Sequence, residues 1–215
     1  MEATIIDQHN RIHDYLRISL TEKCNLRCLY CMPAEGIPLL PKAHLMQADE
    51  VFKIAQTFVN MGVTKIRLTG GEPLVRKDFA EIVTRLATLP VELALSTNGV
   101  LVHKHIDLFK QIGLSKINFS IDSLQAEKFA HITRRNEFKT VKENLELLLQ
   151  NNFSVKINVV LMKGFNDDEI IDFINLTKTR NIAVRFIEFM PFEGNDWDAK
   201  KMVSLIEILQ RAEQV

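Results

Sequence analysis

The chain has 215 residues, 47% hydrophobic and 25% charged, with 27 basic side chains against 27 acidic ones; this is the composition of an ordinary globular domain with room for one sizeable core. Zero net charge argues against a general binder of nucleic acid or anionic membrane, which would carry a basic excess, and no apolar run approaches a membrane span. The three cysteines, Cys24, Cys28 and Cys31, are odd in number and packed into one short stretch, which argues against a disulfide framework.

In chain order, the opening Met1–Asp7 places acids early and shows no basic-then-apolar order, so neither a secretory signal nor a transit peptide is expected and the expected compartment is cytoplasmic. A first strand is predicted over Tyr15–Leu20, and the cysteines follow it. A helix is predicted over Ala48–Met61 and a strand over Thr64–Thr69, running into Gly70-Gly71-Glu72-Pro73. Next come a helix over Asp78–Thr88, a strand over Val91–Ser96, a helix over Val102–Ile112 and a strand over Lys116–Ile121. The stretch holding His131, Arg134 and Arg135 reads as a solvated loop. The helix predicted over Phe138–Asn151 carries Val141, Leu145, Leu148 and Leu149 on one side and Lys142, Glu143 and Glu146 on the other, the signature of an amphipathic helix. A strand over Val155–Leu161, a helix over Asp167–Arg180 and a strand over Ala183–Glu188 complete the alternation. An apolar pattern at Leu205, Ile206, Ile208 and Leu209 closes the chain.

Strand–helix alternation of this kind means parallel strands joined by right-handed crossovers. A parallel strand covered on both faces should be almost wholly apolar. Here polar residues recur at period two: Arg17 and Ser19, Arg67 and Thr69, Asn118, Ser120 and Asp122, Lys156 and Asn158. Residues two apart share a face of a strand, so one face of the sheet is polar and holds three cations. These need counter-charges, which a polyanionic ligand or the carboxylates of Asp122 and Glu188 could supply. An α/β fold in the form of an incomplete (βα)6 parallel barrel, a single domain over residues 1–215, accommodates this better than a flat sheet under helices. Polar and glycine-rich segments collect after the strands, where parallel α/β folds place their chemistry.

Cys24-x3-Cys28-x2-Cys31 offers three thiolates. A four-iron cluster held by three leaves one iron open to an outside ligand. A zinc site completed by His9, His13 or His44, or three unligated thiols, are the alternatives.

The cysteine spacing, Tyr30 just before the last cysteine and the Gly-Gly-Glu segment after the next strand together resemble the radical S-adenosylmethionine (SAM) superfamily. The strings Cys24–Pro33, Lys65–Pro73 and Arg185–Pro191 are similar, more narrowly, to the GTP 3′,8-cyclase family of molybdenum-cofactor biosynthesis, from about Tyr15 onward. The resemblance implies a radical SAM barrel, with a [4Fe–4S] cluster on Cys24, Cys28 and Cys31 and SAM as cofactors. It implies SAM contacts at Tyr30, Gly71, Ser120 and Met190, and GTP contacts at Arg17, Arg67, Ser96 and Lys156. Glu72 is expected to reach the SAM ammonium, and Gly71 to let backbone lie against the cofactor. The reaction implied is reductive cleavage of SAM to a 5′-deoxyadenosyl radical that starts the rearrangement of GTP. An electron donor such as flavodoxin or ferredoxin is implied as partner, with room for a homodimer. Members of the family continue into a C-terminal segment with a second cluster at the GTP base, a part expected to be missing here. Another radical SAM maturation or activating enzyme, and a non-catalytic iron–sulfur or zinc-binding fragment, are the competing readings.

Overall fold

The computed structural model describes residues 4–39, 41, 44–191, 195 and 197–213. Six strands form one sheet: β1 (Tyr15–Ser19), β2 (Lys65–Thr69), β3 (Glu92–Thr97), β4 (Lys116–Ser120), β5 (Ser154–Leu161) and β6 (Ile182–Glu188). Their order in the sheet is their order in the chain, with β1 and β6 outermost. The pairs β1–β2, β2–β3 and β5–β6 are parallel, and the six strands make the open, incomplete (βα)6 arrangement expected. All six predicted strands are present to within one or two residues, because each is a short segment whose apolar residues the sheet can bury.

Seven helices occur among the described residues: α1 (Ala48–Asn60), α2 (Phe79–Leu86), α3 (Ile106–Gln111), α4 (Ala126–Thr133), α5 (Phe138–Gln150), α6 (Ile170–Thr179) and α7 (Leu205–Ala212). Two predicted helices are each split into a 3₁₀ turn and a shorter α-helix, at Val102–Lys104 before α3 and at Asp167–Glu169 before α6. In α1 the capping box between Gln47 and Glu50 satisfies two backbone N–H groups, and Val51 and Ala55 are buried one turn apart. Helix α4 was not predicted, and it lies in the stretch read as a solvated loop. Its two apolar anchors, Phe129 and Ile132, are fully buried.

The chain divides into two compact units. The first comprises residues 1–25, 39–97 and 101–117, and the second residues 26–38, 98–100 and 118–215. The first unit is built on Ile66 and Leu68 of β2 and Leu93 and Leu95 of β3, with Val51, Phe79, Ile82 and Phe109 supplied by the helices, all buried. In the second, Val155, Ile157, Val159 and Leu161 alternate along β5 as buried residues, and Ile132, Met162 and Phe189 form a cluster lined by Tyr30, Phe165 and Trp197.

Candidate active site

In the first unit, the apolar residues of β1 and β2 turn one way and the polar residues the other. Arg17 stands beside Arg67 in the parallel register, and Ser19 beside Thr69. Arg67 in turn lies beside Ala94, two residues before the half-buried Ser96. Three of the four predicted GTP residues therefore belong to one polar face. Tyr15, which the sequence reading left unassigned, organises it. Arg67 Nε donates to the Tyr15 hydroxyl at 2.6 Å and Nη1 to the carbonyl of Leu95 at 2.9 Å, while the Arg17 guanidinium lies 5.6 Å from the Tyr15 ring centre. Burial pushes the Tyr15 phenol up, but hydrogen bonds to Arg17 and Arg67 and their charges outweigh it and hold the phenol below its usual range. Arg67 is 7% exposed and forms no ion pair among the described residues.

The Gly-Gly-Glu segment after β2 is locked to the chain that leads into the cysteines. The Gly71 N–H donates to Thr21 O and the Glu72 N–H to Lys23 O, both at 2.7 Å. A Cβ at Gly71 would lie 2.4 Å from the Lys23 carbonyl oxygen and 2.6 Å from that of Glu22, so this position must be glycine for the sake of its own chain. Glu72, expected to meet the SAM ammonium, is engaged within the protein's own hydrogen bonds. Its carboxylate is fully buried, accepting from Leu74 N–H at 3.1 Å and from the Thr97 hydroxyl at 2.9 Å, and it ties the end of β2 to the end of β3.

In the second unit, the N–H groups of Cys31 and Met32 both donate to Cys28 O at 3.0 Å, a turn that carries two of the three thiols. Tyr30 points inward, its hydroxyl donating to Asp122 Oδ2 at 2.8 Å, while Asp122 Oδ1 accepts from Val160 N–H at 2.8 Å. Burial, opposed by those two hydrogen bonds, leaves Asp122 up at about 6. Burial, and then the Asp122 charge, push the Tyr30 phenol well above its ordinary range. The Asn195 side chain donates to the carbonyls of Tyr30 and Met190, at 3.0 and 2.9 Å, bringing two predicted SAM residues under one clasp. Met190 is 48% exposed, so it is not a core methionine. Ser120 ends β4 half-buried, on the same face as Asp122. Lys156 on β5 is exposed and forms no ion pair among the described residues; two residues on, Asn158 pairs in register with Arg185. The Oδ1 of Asn158 is buried without a hydrogen-bond partner.

The loop reading of Arg134 is also corrected. It caps α4 in the left-handed region at φ 53°, and its Nη1 donates to the carbonyls of Arg27 at 3.0 Å and Met32 at 2.9 Å. No periodicity could have signalled this, because a lone arginine after a short helix looks solvated. Two cavities, of about 620 and 640 Å³, are lined by none of the predicted site residues: one by Glu146, Phe153 and Arg180, the other by Lys23, Leu45, Arg76 and Asp78 among others.

The three cysteines form no disulfide among the described residues; Cys24 and Cys28 are half-buried and Cys31 is exposed. Among the described residues no three His, Cys, Asp or Glu side chains, the three cysteines included, surround one point. His13, one of the suggested fourth zinc ligands, lies with Nε2 3.3 Å from Asp7. Three thiols on one loop are a donor set of the kind that suits iron–sulfur chemistry.

With an open parallel sheet, a three-cysteine loop after its first strand and a Gly-Gly-Glu segment after its second, this is an α/β enzyme core of the SAM-dependent radical type. The profile of the Radical SAM superfamily matches residues 18–177, and the chain belongs to that superfamily, whose cofactors are SAM and an iron–sulfur cluster. More particularly, it is 48% identical to the mitochondrial GTP 3′,8-cyclase of Arabidopsis thaliana, over 96% of this chain and 54% of that protein. It is 47% identical to molybdenum cofactor biosynthesis protein 1 of Homo sapiens, over 99% of this chain and 34% of that one. To the GTP 3′,8-cyclase of Listeria welshimeri serovar 6b it is 43% identical, over 90% and 60%. The chain thus spans about half the length, or less, of most of the curated relatives it matches. Among solved structures, Streptococcus suis SuiB bound to S-adenosylmethionine superposes with a TM-score of 0.72 at 16% identity, over 96% of this chain and 49% of that one, a likeness of fold. No helix among the described residues is long and apolar enough to cross a membrane.

Proposed function

We propose that this chain is the radical SAM core of a GTP 3′,8-cyclase acting in molybdenum-cofactor biosynthesis. Cys24, Cys28 and Cys31 hold a [4Fe–4S] cluster. Tyr30, Gly71, Ser120 and Met190 hold SAM, and Arg17, Arg67, Ser96 and Lys156 hold the GTP. The bound cluster and SAM together supply one-electron reductive cleavage and hydrogen abstraction. The chain's own residues bind and orient. Arg17 and Arg67 present two guanidinium groups side by side to the triphosphate, fixed by Tyr15, and Lys156 adds a point charge. The Ser96 hydroxyl donates or accepts on the same polar face as the two arginines. A small acidic electron carrier such as flavodoxin or ferredoxin, in the cytoplasm, completes the reading.

One observation carries it: two neighbouring arginines on a polar sheet face, one of them buried, are held by a phenol and a backbone carbonyl and form no ion pair with a carboxylate among the described residues. A buried cation of this kind asks for an anionic ligand, and the likeness to relatives named GTP 3′,8-cyclase supports GTP as that ligand. The test is anaerobic reconstitution with iron and sulfide, reduction, and separate assay of 5′-deoxyadenosine and the cyclised nucleotide. We expect about four irons per chain, SAM cleavage, and loss of both on Cys28→Ala. Each charge-assisted phosphate contact contributes about 1.5–3 kcal/mol, so Arg67→Ala should weaken GTP binding roughly ten- to hundredfold. Stoichiometric zinc without an iron chromophore, or unchanged GTP affinity in Arg67→Ala, would overturn the assignment.

A further inference from the structure

The end of α4 and the cysteine turn are joined by reciprocal hydrogen bonds. A helix leaves its last carbonyls without partners inside the helix. In α4 two of these, Ile132 O and Thr133 O, accept from the N–H groups of Leu29 and Arg27, both at 2.9 Å. Arg134 then answers in the opposite sense, its Nη1 donating to Arg27 O and Met32 O. The residues it grips lie on either side of Cys28 and Cys31, and the turn between them is closed by Cys31 N–H and Met32 N–H on Cys28 O. One guanidinium nitrogen therefore fixes the separation of the two ends of the segment that carries two thiols.

The backbone of Arg134 points to the same role. At φ 53° and ψ 29° it occupies the left-handed region, which costs a residue with a Cβ and is ordinarily left to glycine. Glycine would cap α4 with less strain but could not reach the two carbonyls. A strained conformation persists where the surroundings over-determine it, and such positions gather at functional sites.

We propose that Arg134 is a positioning residue for the iron–sulfur site, holding the Cys28–Cys31 turn in the shape in which both thiols can ligate. The proposal rests on the radical SAM reading for what the turn carries, but the clamp itself can be tested in iron-free protein. Arg134→Gly relieves the backbone and removes the guanidinium. Hydrogen exchange of the segment 26–33 should then quicken about tenfold or more, the loss of two hydrogen bonds to a charged donor less the backbone strain that glycine relieves. Exchange over β5 should stay unchanged. Arg134→Lys, which keeps a cation with several donors, should recover part of the protection. On reconstituted protein, iron release to a chelator should quicken in Arg134→Gly and be partly restored in Arg134→Lys. Should the glycine variant not accumulate, Arg134→Gln gives the same comparison with a side chain retained. Equal exchange over 26–33 in wild type and variants overturns the clamp, and altered exchange with unaltered iron release overturns its service to the cluster. A wild-type chain that takes up no iron would instead sink the functional reading, leaving the exchange result to decide the clamp.

Discussion

Gly71, proposed above to face SAM, is required first by its own fold. Because a Cβ there would meet the carbonyls of Glu22 and Lys23, Gly71→Ala should push the chain ahead of Cys24 aside. Iron content after reconstitution and SAM affinity should therefore fall together. Full iron content with weakened SAM binding, by iron assay and calorimetry, would mean that the glycine serves the cofactor alone. Asp122 gives a second test. Burial raises its carboxyl from 3.8 to about 6, so the folded state is favoured by its protonated form. That contribution is complete below about pH 4 and is lost as pH rises through about 6. A shift of this size corresponds to roughly 3 kcal/mol. Urea unfolding of iron-free protein from pH 4 to 7 should show the fall, and Asp122→Asn should flatten it; parallel profiles would refute the attribution. The cysteines, the arginines and the glycine pair were legible in the sequence because their spacing is itself the chemistry. Their partners were not. Tyr30 finds Asp122 across 92 positions and Asn195 finds Tyr30 across 165, and no local pattern encodes such distances.

At the scale of elements, period-two and helical patterns located all six strands and most of the helices, because burial on one face writes itself into the sequence. The pattern missed α4, whose eight residues hold only Phe129 and Ile132 as large apolar anchors before polar flanks. It ran α3 and α6 together with their 3₁₀ turns, since apolar spacing hardly distinguishes the two helix types over one turn. Helix α7 was legible as amphipathic, yet Leu205, Ile206 and Leu209 are each more than half exposed. Its N-terminus carries a reciprocal cap, where Ser204 Oγ accepts from Glu207 N–H at 3.2 Å and Glu207 Oε2 accepts from Ser204 N–H at 3.0 Å. Ser204→Ala should cost about 1 kcal/mol of helix stability, read as faster hydrogen exchange confined to residues 204–212. No change in exchange there would show that packing alone orders the helix.

Over the whole molecule, the contacts proposed for the nucleotide, Arg17, Arg67, Ser96 and Lys156, are cations and a hydroxyl, and among the described residues none of the proposed contacts reads a purine edge. GTP and ATP should therefore bind this chain with affinities within a few-fold of each other, because the charge-assisted contacts proposed are blind to the base. Calorimetric titration of both nucleotides decides it, and strong preference for GTP would place a base-reading residue among these 215. The open parallel sheet was legible from strand–helix alternation, whereas the division into two compact units has no counterpart in composition, since no linker-like stretch marks it. The strand order has a consequence for how such a chain is made. Each strand's neighbours in the sheet are the strands synthesised just before and just after it. A ribosome releases β1 first and β6 last, so every newly emerged strand meets an edge that is already waiting and never has to open a finished one. Sheet growth can keep pace with translation, at about 5–20 residues per second, without holding long unpaired segments in abeyance. Pausing between strands would delay assembly but leave no misplaced strand to expel.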